Sequence, residues 1–247
     1  FKLSLAEWSF NKSFRYEGVS PYEFARRASE LGFEGLEYVN QLYPDVMESG
    51  NKKEALESFI KKNNALAAKY KMQNVLIMID EEGDLSTSDE TLRLIAIENH
   101  KLWINAAHKM GCSSIRLNLH GEKNKDLWIK NSINSLNELS EYAKPMNINI
   151  MVENHGGNSS NADLLMKVIN KVSYDNCGTL PDFGNFCMSE DWGSLKDNKC
   201  NNIYDPYKGV SEMMPRAFGV SAKAYDFNST GEETILDYHK FFSIIKK

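Results

Sequence analysis

Apolar residues alternate along this chain between two rhythms: short contiguous runs, and longer stretches in which they recur every three or four positions. The runs suit strands buried on both faces, and the longer stretches suit helices that bury one stripe. Lys2 to Phe10 is the first run. Ser20 and Pro21 then open a helix as N-cap and first turn, with Phe24, Ala25, Ala28 and Leu31 on one face and Gly32 at its end. Gly35 to Val39 is the second run, and Leu56, Phe59, Ile60, Leu66 and Ala67 mark a helix over about Lys52 to Tyr70.

The alternation continues in the same sense. Asn74 to Ile79 is followed by a helix that Ser88 caps and Gly111 stops, with Leu92, Ile95, Ala96, Trp103 and Ala106 on its apolar face. Ser114 to Leu119 leads to a helix over Asp126 to Ala143, and Ile148 to Glu153 to one over Asn161 to Val172. Gly178 to Asp182 precedes an irregular stretch and a helix over Pro206 to Met214; Gly219 to Ala224 precedes a last helix over Ile235 to Ile245.

Strands that alternate with helices make right-handed βαβ units and a parallel sheet, either open and doubly wound or closed as a (β/α)8 barrel. No GxGxxG and no Walker A loop favours the open sheet. The runs end at their carboxyl side in polar residues: Glu7, Glu37 with Asn40, Asp80, Asn118 with His120, Glu153 with His155, Asp182 with Asn185, and Lys223 with Asp226. A barrel with its chemistry at the C-terminal mouth has this pattern. The expectation is therefore one TIM-barrel domain over residues 1–247. Seven strands are counted, so the eighth is lacking, and the domain is either truncated at its C-terminus or open.

Composition narrows the partners. A formal charge of -5 gives no global field for nucleic acid or an anionic membrane, and no apolar run reaches the roughly 18 to 20 residues of a membrane span. Cys112, Cys177, Cys187 and Cys200 form no CxxC, so structural zinc is not expected. Free thiols are the simpler reading; a disulfide between Cys187 and Cys200, closing the polar segment between them, is the alternative in an exported protein. The chain begins at Phe1, which fits an exported protein with its signal peptide removed and a cytoplasmic one alike.

In the fifth run, alternation puts Asn149, Met151, Glu153 and His155 on one face and Ile148, Ile150 and Val152 on the other, so Glu153 points into the mouth if the apolar set packs on helices. Asp182 ends the next strand, and Gly184 lets Asn185 turn to the same place. Two neighbouring carboxylates call for a cation between them. Oxygen ligands suit magnesium or manganese, and an added imidazole admits cobalt or zinc. The other possibility is that each carboxylate pairs with Lys or Arg. Trp8, Tyr38, Phe183 and Phe186 are either core or stacking surfaces for a sugar ring, and Cys187 to Ile203 is long enough for a lid.

The strings SLAEWSF, ELGFEGLEYVNQ, ENHKLWINAAHKMGCSSIRLNLHG, MVENHGG, CGTLPDFGNF, YDPYKGVSEMMP and VSAKAYDF resemble the sugar phosphate isomerase/epimerase family, the xylose isomerase-like TIM barrels that also include endonuclease IV. The resemblance implies a divalent metal (Mn, Mg, Co or Zn) at the mouth, with Glu153 and Asp182 as its first two ligands. The third is a His in a His-x-Lys pattern, where this chain has Ser221-Ala222-Lys223; His155 or Asp226 would have to substitute. The fourth, a Glu, would lie past Lys247.

The implied reaction is proton transfer beside a carbonyl through an enediolate, with Glu153 as acid/base and Lys223 at the oxyanion or in a salt bridge to Asp182 or Glu153. Glu37, Arg116, Asn118, His155 and Asn185 would hydrogen-bond hydroxyls of a sugar or polyol substrate, unless Arg116 is an ion-pair partner of Glu37. The alternatives are a carbohydrate-binding barrel that has lost catalysis and, remotely, an abasic-site endonuclease, which five His and a charge of -5 disfavour. No nucleic acid or membrane partner is expected, and a second copy of the chain is left open as a partner.

Overall fold

The computed structural model describes residues 2–196 and 200–246. Six parallel strands form one sheet in the order of the sequence: β1 (Ser4–Ala6), β2 (Gly35–Val39), β3 (Gln73–Met78), β4 (Ser114–Leu117), β5 (Asn149–Glu153) and β6 (Cys177–Leu180). Among the described residues the sheet does not close. The helices are α1 (Asn11–Tyr16), α2 (Phe24–Glu30), α3 (Pro44–Met47), α4 (Lys52–Tyr70), α5 (Glu90–Lys109), α6 (Lys125–Ala143), α7 (Ala162–Ile169), α8 (Pro206–Met213) and α9 (Tyr238–Ile245). From α4 to α9 each helix packs beside the next, so the βα units follow one another around a partial barrel.

The core explains the aromatic residues. Phe24, Tyr38, Phe59 and Trp103 form an edge-to-face chain between sheet and helices, and Tyr43 packs on Phe59 at 4.7 Å. Phe183 stacks on Phe241 at 4.2 Å, and Phe183 and Phe186 are fully buried. Tyr38, Phe183 and Phe186 are therefore core residues, leaving Trp8, 40% exposed, outside it.

Several elements differ from the pattern reading. β1 is three residues long because Glu7 turns inward, where its carboxylate accepts from the Val39 N–H and the Tyr43 hydroxyl, each at 2.8 Å. Asp89 rather than Ser88 caps α5: Asp89 Oδ1 accepts from the Leu92 N–H, while the Ser88 hydroxyl donates to Glu122. The expected seventh strand is reduced to two isolated bridges on the β6 side, Thr179 to Ala217 and Asp182 to Ser221. Beyond them the Tyr238 hydroxyl donates to the carbonyls of Ala222 and Lys223, so a side chain takes up backbone acceptors that a ladder would use. α9 begins at Tyr238, capped by Asp237.

Cys187 and Cys200 are joined by a disulfide, and Cys112 and Cys177 are buried free thiols. The all-thiol reading is corrected accordingly. The middle of that loop, residues 197–199, and the chain end at Lys247 lie outside the described residues.

Candidate functional site

The carboxyl ends of β3 to β6 bring a chain of charges together. Arg116, on the penultimate position of β4, donates from Nη1 to Asp80 Oδ1 at 2.7 Å and lies with Nε 2.8 Å from Glu153 Oε2 at the end of β5. The second contact is an ion pair whose N–H is not aligned for a hydrogen bond. Asn118 Nδ2 donates to Asp80 Oδ1 at 2.7 Å, and Asn185 Nδ2 donates to Glu153 Oε1 at 3.1 Å. Lys223 Nζ closes the series by donating to Asn185 Oδ1 at 2.7 Å. Asp80, Arg116, Asn118, Glu153 and Asn185 are all buried.

Asp182 stands beside this chain. Its Oδ1 accepts from the Gly184 N–H at 2.8 Å and its Oδ2 from the Ser221 hydroxyl at 2.6 Å. Asn154, hidden between Glu153 and His155, clamps the strand end: Nδ2 donates to the carbonyls of Asp182 and Asn185, and Oδ1 accepts from the Asp182 N–H at 2.7 Å. These bonds hold Asp182 and Asn185 at the mouth without using their side chains.

Burial sets the protonation balance. Desolvation pushes the Asp182 carboxyl up to about 6, with Lys223 pulling the other way. Glu153 is also raised by burial, against the pull of Arg116 and Lys223. Burial would raise Asp80 too, but facing Arg116 holds it below the usual carboxylate range. Burial and Arg116 push His155 down to about 3, so its imidazole is neutral at pH 7.

Of the residues expected at the site, Glu153, Asp182, Asn185, Arg116, Asn118 and Lys223 are brought together. Glu37 pairs with Leu76 on β3 and its carboxylate accepts from the Ser4 hydroxyl; burial raises it, and the charges of Glu153 and Arg116 reach it without a direct ion pair among the described contacts. Arg116 is thus the partner of Asp80 and Glu153, and Glu37 is not its ion-pair partner among the described contacts. Lys223 is bound to Asn185, with no salt bridge to Asp182 or Glu153 among the described residues. Asp226 is exposed and belongs to the 226–234 turn, away from Asp182.

His155 lies within the field of the charge chain and also meets an aromatic side chain. Its ring lies 6.1 Å from His120 and 5.4 Å from Trp192, which also meets His120 at 5.6 Å. Trp192 belongs to the disulfide-closed loop, which sits directly on the turn after β5: a Cβ at Gly156 would be 1.9 Å from the Asp191 carbonyl oxygen. The sequence reading missed Trp192, Asn154 and the role of Asp80. Asp80 carried a signal as a strand-end carboxylate opposite an inward Arg, while Trp192 lies in a loop with no periodicity to place it.

A divalent cation is poorly served here. Among the described residues, no three His, Cys, Asp or Glu side chains converge as ligands. Each oxygen of Glu153 and Asp182 already faces an N–H, an O–H or a guanidinium. The described donor set does not fit the expected metal centre around Glu153 and Asp182.

The fold matches solved structures with little sequence in common. D-psicose 3-epimerase from Clostridium cellulolyticum H10, determined with D-tagatose, matches at a TM-score of 0.72 and 12% identity, over 100% of this chain and 81% of that one. D-allulose 3-epimerase from Methylomonas sp. matches at 0.69 and 15%, over 100% and 80%. The IOLI protein, solved with a zinc atom, matches at 0.68 and 14%, over 100% and 84%. Among curated protein sequences, none matches this chain. The family model of the xylose isomerase-like TIM barrel matches residues 25–247, and the chain belongs to that family.

Proposed function

We propose that the mouth binds a sugar or related polyol and moves a proton at a carbon beside its carbonyl, as an isomerase or epimerase. The observation that carries this reading is the pair of buried carboxyls, Glu153 and Asp182, on neighbouring strand ends, both raised above their ordinary range with two cationic side chains close by. A carboxyl raised from its ordinary range holds a proton more readily and can both take and return one. Glu153 removes the proton from the hydroxyl-bearing carbon; the C–H electron pair forms the C=C bond of an enediolate, and the carbonyl electrons move onto oxygen. Lys223 offsets that negative charge. Return of the proton to the neighbouring carbon, with the hydroxyl proton passing from one enediolate oxygen to the other so that the carbonyl changes place, isomerises the sugar; delivery to the opposite face of the same carbon, from Asp182, re-forms the original carbonyl and epimerises it.

Asn118 Oδ1 and His155 Nδ1 are buried with no hydrogen-bond partner among the described residues, which supports assigning them to substrate hydroxyls. The structural neighbours named for sugar epimerisation support the substrate class. The Cys187–Cys200 disulfide supports an oxidising compartment and hence export. No helix of the described residues is long and apolar enough to cross a membrane.

A second reading, a carbohydrate-binding barrel without catalysis, is favoured by Ser221, whose hydroxyl is committed to Asp182. Incubation with a panel of ketoses and aldoses in deuterated water separates the two. Deuterium appearing at the carbon beside the carbonyl, and lost in Glu153→Gln, supports the isomerase. Saturable binding with no exchange from any sugar supports the binding protein and overturns the isomerase.

A further inference from the structure

We infer that the described residues of this mouth do not make a divalent-metal centre: the guanidinium of Arg116 is the cation between Asp80 and Glu153, and the two oxygens of Asp182 are taken by the Gly184 N–H and the Ser221 hydroxyl. Arg116 reaches Asp80 on the β3 side and Glu153 on the β5 side, at 2.7 and 2.8 Å, and is itself 5% exposed. A planar fork with donors on two edges can address two carboxylates on different strands at once, as an ammonium cannot. Asn118 fixes the far carboxylate by donating to Asp80, so the guanidinium is held from below and not merely attracted.

The rest of the site agrees. Lys223 brings a second positive charge to the other side of Glu153 through Asn185, and its field also reaches Asp182. Ser221 points its proton, not a lone pair, at Asp182, so the hydroxyl acts there as a donor. A magnesium-sized ion sits about 2.0 to 2.1 Å from its oxygen ligands. Placed on Glu153 Oε2, it would lie against a guanidinium nitrogen that is 2.8 Å from that same oxygen, two positive charges in contact inside a buried site. Arg116 is a positioning residue: it fixes Glu153, and through it the proton-transfer geometry proposed above. The cation assignment itself stands on contacts within the chain and does not need the sugar reading.

The test uses the whole chain, stripped with EDTA and titrated separately with Mn2+, Co2+ and Zn2+, read by calorimetry and by thermal unfolding. The expected result is a Tm unchanged, to about one degree, between EDTA and each cation, because no ligand is linked to folding. About one equivalent of cation per chain, raising Tm by about 5 to 10 °C at a hundredfold excess over its dissociation constant and lost in Asp182→Asn, would overturn the inference. Binding kept in Asp182→Asn but lost in Glu153→Gln would overturn it equally; binding that survives in both variants lies outside the mouth and supports it. Deuterium exchange has no part in this readout, so failure of the isomerase reading and failure of this one are separately visible.

Discussion

Ser221 donates its hydroxyl proton to Asp182 Oδ2 at 2.6 Å, and the same two residues face each other as an isolated backbone bridge. The side-chain bond and the bridge together tie the 217–221 segment to the end of β6. Ser221→Ala is expected to cost about 1.5 to 3 kcal/mol, the range for a hydrogen bond to a charged acceptor left buried. Urea unfolding measures the loss, and an NMR titration of Asp182 should show its carboxyl moving further up from about 6.

Arg116→Met should be the most damaging of the site substitutions. It leaves Asp80 and Glu153 buried without their cation, which costs about 3 to 5 kcal/mol. Asp80 is held below its ordinary range in the folded protein, so its share of stability is present above that range and lost as the pH falls through it. The gap between wild type and Arg116→Met should therefore narrow in acid. Arg116→Lys should not restore it, because an ammonium cannot reach both carboxylates. Denaturant midpoints at pH 7 and at a pH below 3.8 decide both points.

Glu7 supplies a pH dependence remote from the site. Burial raises it from 4.5 to about 8, so between those values the folded chain holds a proton that the unfolded chain has released. Stability falls as pH rises through that window and levels off above it. Gln mimics the protonated acid here: its carbonyl can accept from the Val39 N–H and its amide can donate to the Tyr43 hydroxyl oxygen. Glu7→Gln should flatten the Tm profile between pH 5 and pH 8. A profile as steep as wild type would place the titration elsewhere.

The Cys187–Cys200 bond closes a loop with a sequence separation of 13, for which the chain-entropy estimate is about 3 kcal/mol. Cys200→Ser should lower stability by about that amount. Tryptophan emission should also change, because Trp192, 57% exposed, is held by the closed loop against His120 and His155. A variant that loses stability with Trp192 emission unmoved would show that the disulfide does not position the indole.

The sequence made the βα alternation and the polar strand ends readable because both are local patterns: buried runs, caps and glycine stops lie within a few residues of one another. Glu153, Asp182, Asn185 and Arg116 were found that way. What opposes each of them was not local. That Arg116 ion-pairs with Asp80 and Glu153, while Glu37 accepts from Ser4, depends on contacts between strands distant in the chain. The seventh run has strand composition, yet it forms only bridges, because a ladder needs a partner's geometry as well as a suitable sequence. The Cys187–Cys200 disulfide was legible only as the alternative to free thiols, since cysteine spacing alone does not fix a pairing.

Strand order in the sheet runs β1 to β6 without a crossover to a later element. During synthesis, each new strand therefore finds its partner already made, in the unit that left the ribosome just before it. Among the described residues each strand ladder joins neighbours one unit apart, and the loop-closure entropy of each such pairing is that of a single βα unit. The barrel wall can thus be laid down vectorially, with the charge chain of the mouth completed only when β6 and the segment carrying Lys223 arrive.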